Sequence, residues 1–268
     1  MDEGQLDEDS KSNLKLVKKN VSRLLNLTNQ LLELRKVDIG ILEPRYEKVI
    51  YVNYIKEILD YFEQQAKRKS INLVFNTKHI SGSEELWIDK EMITTAIYNL
   101  LSNAFKFTNK GGLVNVTLEK TDLSKIPEKE ITKSKIPIKH WLLIEIADNG
   151  IGIPAKDLAN IFHRFYQGSN HLISETPGSG IGLSIVKEYV DLHFGVIMAE
   201  SKVGSGTVIK VYLPLGNDHI HKKHIREYHP ISIQTKDIID KLPSAHEELT
   251  PLTNGHEEQK KAAGHCHC

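Results

Sequence analysis

The chain has 268 residues and only two cysteines, Cys266 and Cys268, both among its last three positions. A disulfide framework is thereby excluded as the basis of the fold, and a reducing compartment is expected. No apolar run approaches the ~20 residues of a membrane span, and the start Met1-Asp2-Glu3-Gly4 lacks the basic head of a signal peptide. The chain as given is expected to be soluble. Neither charge sign is in excess, since Lys+Arg and Asp+Glu both number 35. Bulk attraction to nucleic acid or to a membrane surface is not indicated, so an anionic ligand must be held by local groups. No histidine precedes His79. What the chain does have is a hydrophobic content of 40%, enough for a sizeable core, and glycines gathered into three short boxes.

After an acidic start, Leu14, Val17, Val21, Leu24, Thr28 and Leu31 recur at alternating spacings of three and four, with Leu25 and Leu32 widening the stripe. This predicts a helix with a seam for a partner helix, in a dimer or a hairpin. The alternative is a helix packed on its own domain. The Asp38-Ile39-Gly40 break and Pro44 separate this helix from the next segment. Val52 to Ser70 predicts an amphipathic helix with Ile55, Ile58, Leu59 and Phe62 on one face. Strands are expected at Ile71 to Asn76, Leu86 to Asp89, Leu113 to Lys120, His140 to Ala147, Val196 to Ser201 and Thr207 to Leu213. Helices are expected at Lys90 to Thr108 and Gly182 to His193. The charged stretch Thr121 to Lys139 is expected as an exposed hairpin loop. After Pro214 the chain is polar and His-rich without periodicity, which predicts a linker. Its end, His265-Cys266-His267-Cys268, is either a zinc- or nickel-binding tract or a cloning-derived terminus. The expected domains are 1–43, 44–216 and 217–268.

Three stretches carry chemistry. Trp141 to Ala147 reads as a buried strand that delivers Asp148 to a glycine turn, Asp148-Asn149-Gly150-Ile151-Gly152-Ile153. A buried carboxylate needs donors, and the exocyclic amino group of a purine supplies one. Gly150 and Gly152 allow close backbone approach to a flat ligand. Taken alone, Asp-x-Gly-x-Gly is weak and reads better as a plain surface turn; the other two stretches change that. Upstream, Asn99, Asn103 and Lys106 fall on one face of the Lys90 to Thr108 helix, and helix interiors do not favour Asn. Downstream, Gly178-Ser179-Gly180-Ile181-Gly182-Leu183 opens a helix, whose free amides suit phosphate oxygens.

The order Asn-x-x-x-Asn, Asp-x-Gly-x-Gly, Phe-x-x-Phe, Gly-x-Gly-x-Gly, Gly-x-Gly-Thr resembles the ATP-binding domain of sensor histidine kinases. The boxes are Asn99 to Thr108, Asp148 to Ile153, Ile161 to Tyr166, Gly178 to Leu183 and Gly204 to Thr207. The resemblance implies an α+β fold, a two-layer α/β sandwich of the histidine kinase, gyrase and chaperone ATPase type, preceded by a coiled-coil-like second helix of a dimerisation hairpin. It implies ATP and Mg²⁺, with Asp148 and Thr207 on the base, Asn103 on the metal and Asn99 and Lys106 at the phosphates. Gly150, Gly152, Ile153, Gly178, Gly180, Ile181, Gly182 and Leu183 would line the nucleotide. Tyr166 to Pro177 would form a lid anchored by Phe162 and Phe165.

Two departures from the pattern matter. Gln167 stands where many relatives carry an arginine, for which Arg164 is the candidate substitute in catalysis. The phosphoacceptor histidine is missing from this chain, so self-phosphorylation is not expected. A glutamate that activates water in ATPase kin is replaced by Asn99, which favours transfer to histidine over hydrolysis. The alternatives are a water-activating ATPase switch or a degenerate nucleotide-binding dimer scaffold. The implied partners are a phosphoacceptor helix of the same or a partner subunit, a response regulator or receiver domain, and a second copy in the full-length protein. The implied location is the cytoplasmic side of an inner-membrane bacterial sensor.

Overall fold

The computed structural model describes residues 7–82, 84–122, 124, 126, 138–168, 179–226 and 234–242. Helix α1 spans Glu8–Asp38 and is followed by β1 (Glu47–Ile50), α2 (Tyr51–Lys69), β2 (Asn72–Lys78), β3 (Glu85–Ile88) and α3 (Lys90–Phe107). Next come β4 (Leu113–Thr121), β5 (Trp141–Asp148), the short α4 (Ala155–Leu158), α5 (Gly182–Leu192), β6 (Val196–Lys202), β7 (Gly206–Pro214) and α6 (Thr235–Asp240). The main sheet has the order β2-β4-β5-β7-β6, parallel between β2 and β4 and antiparallel elsewhere. Strands β1 and β3 pair separately.

Strand alternation decides the layers. Val114, Val116 and Leu118 of β4, Leu142, Ile144 and Ile146 of β5, and Ile209, Val211 and Leu213 of β7 face one side. There they join Ile55, Ile58 and Phe62 of α2, Ile93, Ile97, Leu101 and Phe105 of α3, and Ile185 and Val186 of α5 in one core. The result is a sandwich of helices on one face of a mixed sheet, as expected. Each of α2 and α3 presents one apolar stripe because its buried residues recur at three and four.

The opposite face is not bare. Trp141, Leu143, Val196 and Tyr212 form a second cluster covered by Ile126 and Ile138. The ends of the Thr121 to Lys139 stretch thus fold back on the sheet, which corrects the expectation of a fully exposed loop. Ile126 and Ile138 lie far apart among lysines and prolines, which gives no period to read.

The polar stretch after Leu215 also carries packed structure. Ile225 bridges Tyr46, with Tyr46 N–H donating to the His224 carbonyl and Arg226 N–H to the Tyr46 carbonyl, each at 2.8 Å. Helix α6 buries Thr235, Ile238 and Ile239 against α2 and α3, and Thr235 donates to Glu57. An apolar pair in a six-residue helix is too short for periodicity to reveal.

Tyr46 leads to the buried junction of α3 and α5. Its hydroxyl donates to the Leu192 carbonyl at 2.6 Å, and its ring meets the edge of His193. His193 Nε2 accepts the Asp89 N–H at 2.9 Å, and Asp89 caps α3 through Met92 N–H at 3.1 Å. Helix α3 starts where this cap replaces a missing intrahelical acceptor.

Helix α1 ends at Asp38, at the predicted break. Its seam residues Leu14, Val17, Val21 and Leu24 are half or more exposed. A different face, with Leu34 buried and Leu27 half-buried, packs on the core. Among the described residues no helix is long and apolar enough to cross a membrane.

Candidate functional site

Three side chains make a row across the strand ends. Asp148 closes β5 opposite Thr207 on β7, and Thr207 is opposite Ser201 on β6. Cross-strand partners share a sheet face, here the helix side. The Asp148 carboxylate is half-buried and accepts the Gly150 N–H at 2.8 Å. Burial holds its carboxyl above the usual carboxylate range, opposed by the backbone amides of Gly150 and Thr207. An additional donor from a ligand would therefore be favourable at this carboxylate.

The glycine turn after Asp148 is wedged between two elements. A Cβ on Gly150 would lie 2.2 Å from the Phe107 carbonyl oxygen of α3, and one on Gly152, at φ +70°, would lie 2.1 Å from the Lys202 carbonyl oxygen. Only glycine permits both approaches. Ile151 N–H donates to the Phe107 carbonyl at 3.2 Å, and Ile153 N–H to Ser201 Oγ at 2.8 Å. The same turn thus ties the end of α3 to the β6–β7 hairpin.

One turn back from Phe107 lies the polar face of α3. Asn103 is half-buried, and its side chain has no hydrogen bond among the described residues. Asn99 donates to the Thr95 carbonyl at 2.9 Å, while its amide oxygen faces Gly182, 3.1 Å from where a Cβ would stand. The opening of α5 and the amide face of α3 are therefore adjacent. Lys106 Nζ sits 5.2 Å from the Phe107 ring centroid, a cation–π contact.

Around this centre, Ile181 is buried, Leu183 and Ile153 are half-buried on the core, and Gly180 has φ +72° against the Phe165 backbone. Gly178 and most of the expected lid, 169–177, lie outside the described residues. Of its two expected anchors, Phe162 packs on the core, but Phe165 is 61% exposed with φ +61° and is no anchor. Arg164 pairs with Glu188 at 3.2 Å, more than a helical turn beyond Gly182. The structure thus places Asp148 beside Thr207 and Asn99 beside Gly182, with the Gly150 turn against the Phe107 end of α3, while the Arg164 side chain is exposed and paired with Glu188. The terminal His/Cys tract lies outside the described residues, among which no three His, Cys, Asp or Glu side chains gather as a metal cluster.

Comparison with known proteins gives this arrangement its place. The sequence is 33% identical to hybrid signal transduction histidine kinase D of Dictyostelium discoideum over 85% of this chain and 14% of that protein. It is 32% identical to sensor histidine kinase WalK of Bacillus subtilis over 75% of this chain and 30% of that protein. The chain therefore spans well under half of the relatives it matches. In fold it is similar to full-length ShkA in complex with AMPPNP, with TM-score 0.61 at 19% identity over 80% of this chain and 40% of that one. A family profile described as histidine kinase-, DNA gyrase B- and HSP90-like ATPase matches residues 88–217. Residues 88–217 match that family's domain.

The matched span 88–217 holds the Asp148 row, the amide face of α3 and the start of α5. It leaves out α1, α2 and α6. The site residue that sequence reading missed is Ser201. It donates to the Gly206 carbonyl at 2.8 Å and lies 2.9 Å from Thr207 Oγ1. Counting outward from the Val203-Gly204-Ser205 turn would have placed Ser201 opposite Thr207. A lone serine at a strand end otherwise gives no chemical signal. Gln30 of α1 was likewise invisible as a contact, yet it accepts the Ser179 hydroxyl at 2.8 Å.

Proposed function

We propose that this chain is the ATP-binding catalytic part of a two-component sensor histidine kinase, transferring the γ-phosphoryl group of ATP to a histidine outside this sequence. The observation that carries the reading is that the turn after Asp148, itself paired with Thr207, seats on the Phe107 end of α3, the helix whose Asn99 meets Gly182 at the start of α5, in a chain whose relatives are histidine kinases. ShkA holds AMPPNP, and the present site offers matching chemistry. Asp148 accepts the adenine amino group. The backbone amides opening α5 meet phosphate oxygens at the positive end of the helix. Lys106, released from Phe107, offsets phosphate charge as a mobile point cation.

The half-buried amide oxygen of Asn103, without a hydrogen bond among the described residues, is a hard donor suited to Mg²⁺, with the remaining ligands coming from phosphate and water. When bound, Mg²⁺ neutralises charge on the transferring group. The protein's own share is positioning: α3 and α5 hold the phosphates and exclude water from them. Asn99 cannot act as a general base, so an already nucleophilic imidazole is the fitting acceptor rather than water.

The exposed α1 seam supports pairing with a second helix in the intact protein. ThkA, a neighbour in fold, forms a complex with response regulator TrrA, and a response regulator or receiver domain is the proposed downstream partner. The intact protein is proposed as a membrane-anchored sensor, with this chain on the cytoplasmic side. Mixing the chain with a separate histidine-bearing dimerisation hairpin and γ-labelled ATP tests the reading. Label on histidine supports the kinase. Free phosphate alone would instead make it an ATPase switch, and neither product would make it a nucleotide-binding scaffold.

A further inference from the structure

Asp148 and Thr207 are the groups proposed to meet the base, and what they accept depends on where the Thr207 proton points. That direction is set by Ser201. Its hydroxyl lies 2.8 Å from the Gly206 carbonyl, 2.8 Å from the Ile153 N–H and 2.9 Å from Thr207 Oγ1. A hydroxyl has one proton and two lone pairs. The Gly206 carbonyl has no proton, so Ser201 supplies the one between them. The Ile153 amide fills one lone pair. The contact with Thr207 then holds together only if Thr207 is the donor, because two oxygens at that distance without a proton repel.

The Thr207 proton is thereby directed away from the ligand, and its oxygen presents only lone pairs. Asp148, as a carboxylate, also presents only lone pairs. We propose that Ser201 is a specificity-determining residue that makes the base pocket an all-acceptor surface, selecting a purine with an amino group at position 6 over one with a carbonyl there. Ser201 reaches the ligand through Thr207 and is a positioning residue. The row Ser201–Thr207–Asp148 runs across three adjacent strands, so the proton order is held by sheet register rather than by a loop. This inference rests on the nucleotide reading above.

The test is the ratio of ADP to IDP affinity, measured by calorimetric titration with Mg²⁺ present, since the two bases differ at position 6 and in the N1 proton that accompanies its carbonyl. The unmodified chain should prefer ADP. Ser201→Ala frees the Thr207 proton to serve a carbonyl, and the preference should fall about fivefold, the worth of one net hydrogen bond. Ser201→Thr, which keeps the hydroxyl, should retain the preference. In a Thr207→Val background Ser201→Ala should not change the ratio, whereas a general loosening of the hairpin would weaken both nucleotides equally. An unchanged ratio in Ser201→Ala, or an equal fall with Thr207→Val present, overturns the inference while leaving the nucleotide site standing. Failure of the unmodified chain to bind ADP overturns the nucleotide reading and this inference with it.

Discussion

Replacing His193 by glutamine should flatten the acid limb of the stability curve, and the size of the effect is set by the junction of α3 and α5. The imidazole is 2% exposed, takes the Asp89 N–H at Nε2 and faces the Tyr189 carbonyl at Nδ1. Burial lowers its pKa from 6.5 to about 4, against the Tyr189 carbonyl and the Asp89 carboxylate, which raise it. The folded-state pKa is depressed, so the unfolded chain takes up a proton more readily between those values. The neutral-histidine contribution is fully present above pH 6.5 and is lost as pH falls toward 4. Between pH 7 and 5 the loss is about 2 kcal/mol. Burial lowers the nearby His219 as well, which adds in the same direction. Urea unfolding at pH 7, 6 and 5 measures this. Glutamine removes the titration, so the gap in stability between the natural chain and His193→Gln should narrow by about 2 kcal/mol over that range. A gap that stays constant would mean that His193 is not buried neutral against Asp89, and the account of the junction would be wrong.

Two further outcomes are expected. Asn103→Asp should alter the Mg²⁺ dependence of nucleotide binding, because a carboxylate beside phosphates repels them; titration with and without Mg²⁺ should show about tenfold weaker binding in the absence of metal, and unchanged dependence would argue against a metal at this amide. Ile239→Ala, in the part of α6 that reaches the core, should cost about 2–4 kcal/mol in urea unfolding. A cost below about 0.5 kcal/mol, typical of surface sites, would return the stretch after Leu215 to the status of a linker.

The helix layer and the five-stranded sheet were legible because the apolar periods are long and clean. The Lys90 to Thr108 helix ends one residue earlier than expected, at Phe107, and the antiparallel pairing of β4 with β5 agrees with their adjacency in the chain. What escaped was short or nonlocal. Strand β1 is four residues long, and the parallel β2–β4 pair depends on a crossover through α3 that no local pattern encodes. Asp148 could be picked out by its place at the end of a buried strand before a glycine turn. Ser201 could not, since its role comes only from hairpin register. Phe165 was misread because an aromatic in a repeated spacing reads as core, whereas its backbone sits at φ +61° and turns the ring outward.

The central claim is that an adenine nucleotide is gripped by Asp148 at one end and by the amide face of α3 at the other. Calorimetric titration with ADP and millimolar Mg²⁺ tests it most directly, comparing the natural chain with Asp148→Asn. The account predicts a saturable heat for the natural chain and a loss of roughly tenfold to a hundredfold in affinity for the variant, the range for one charged hydrogen bond. No heat with the natural chain, or equal affinity in both, would contradict it.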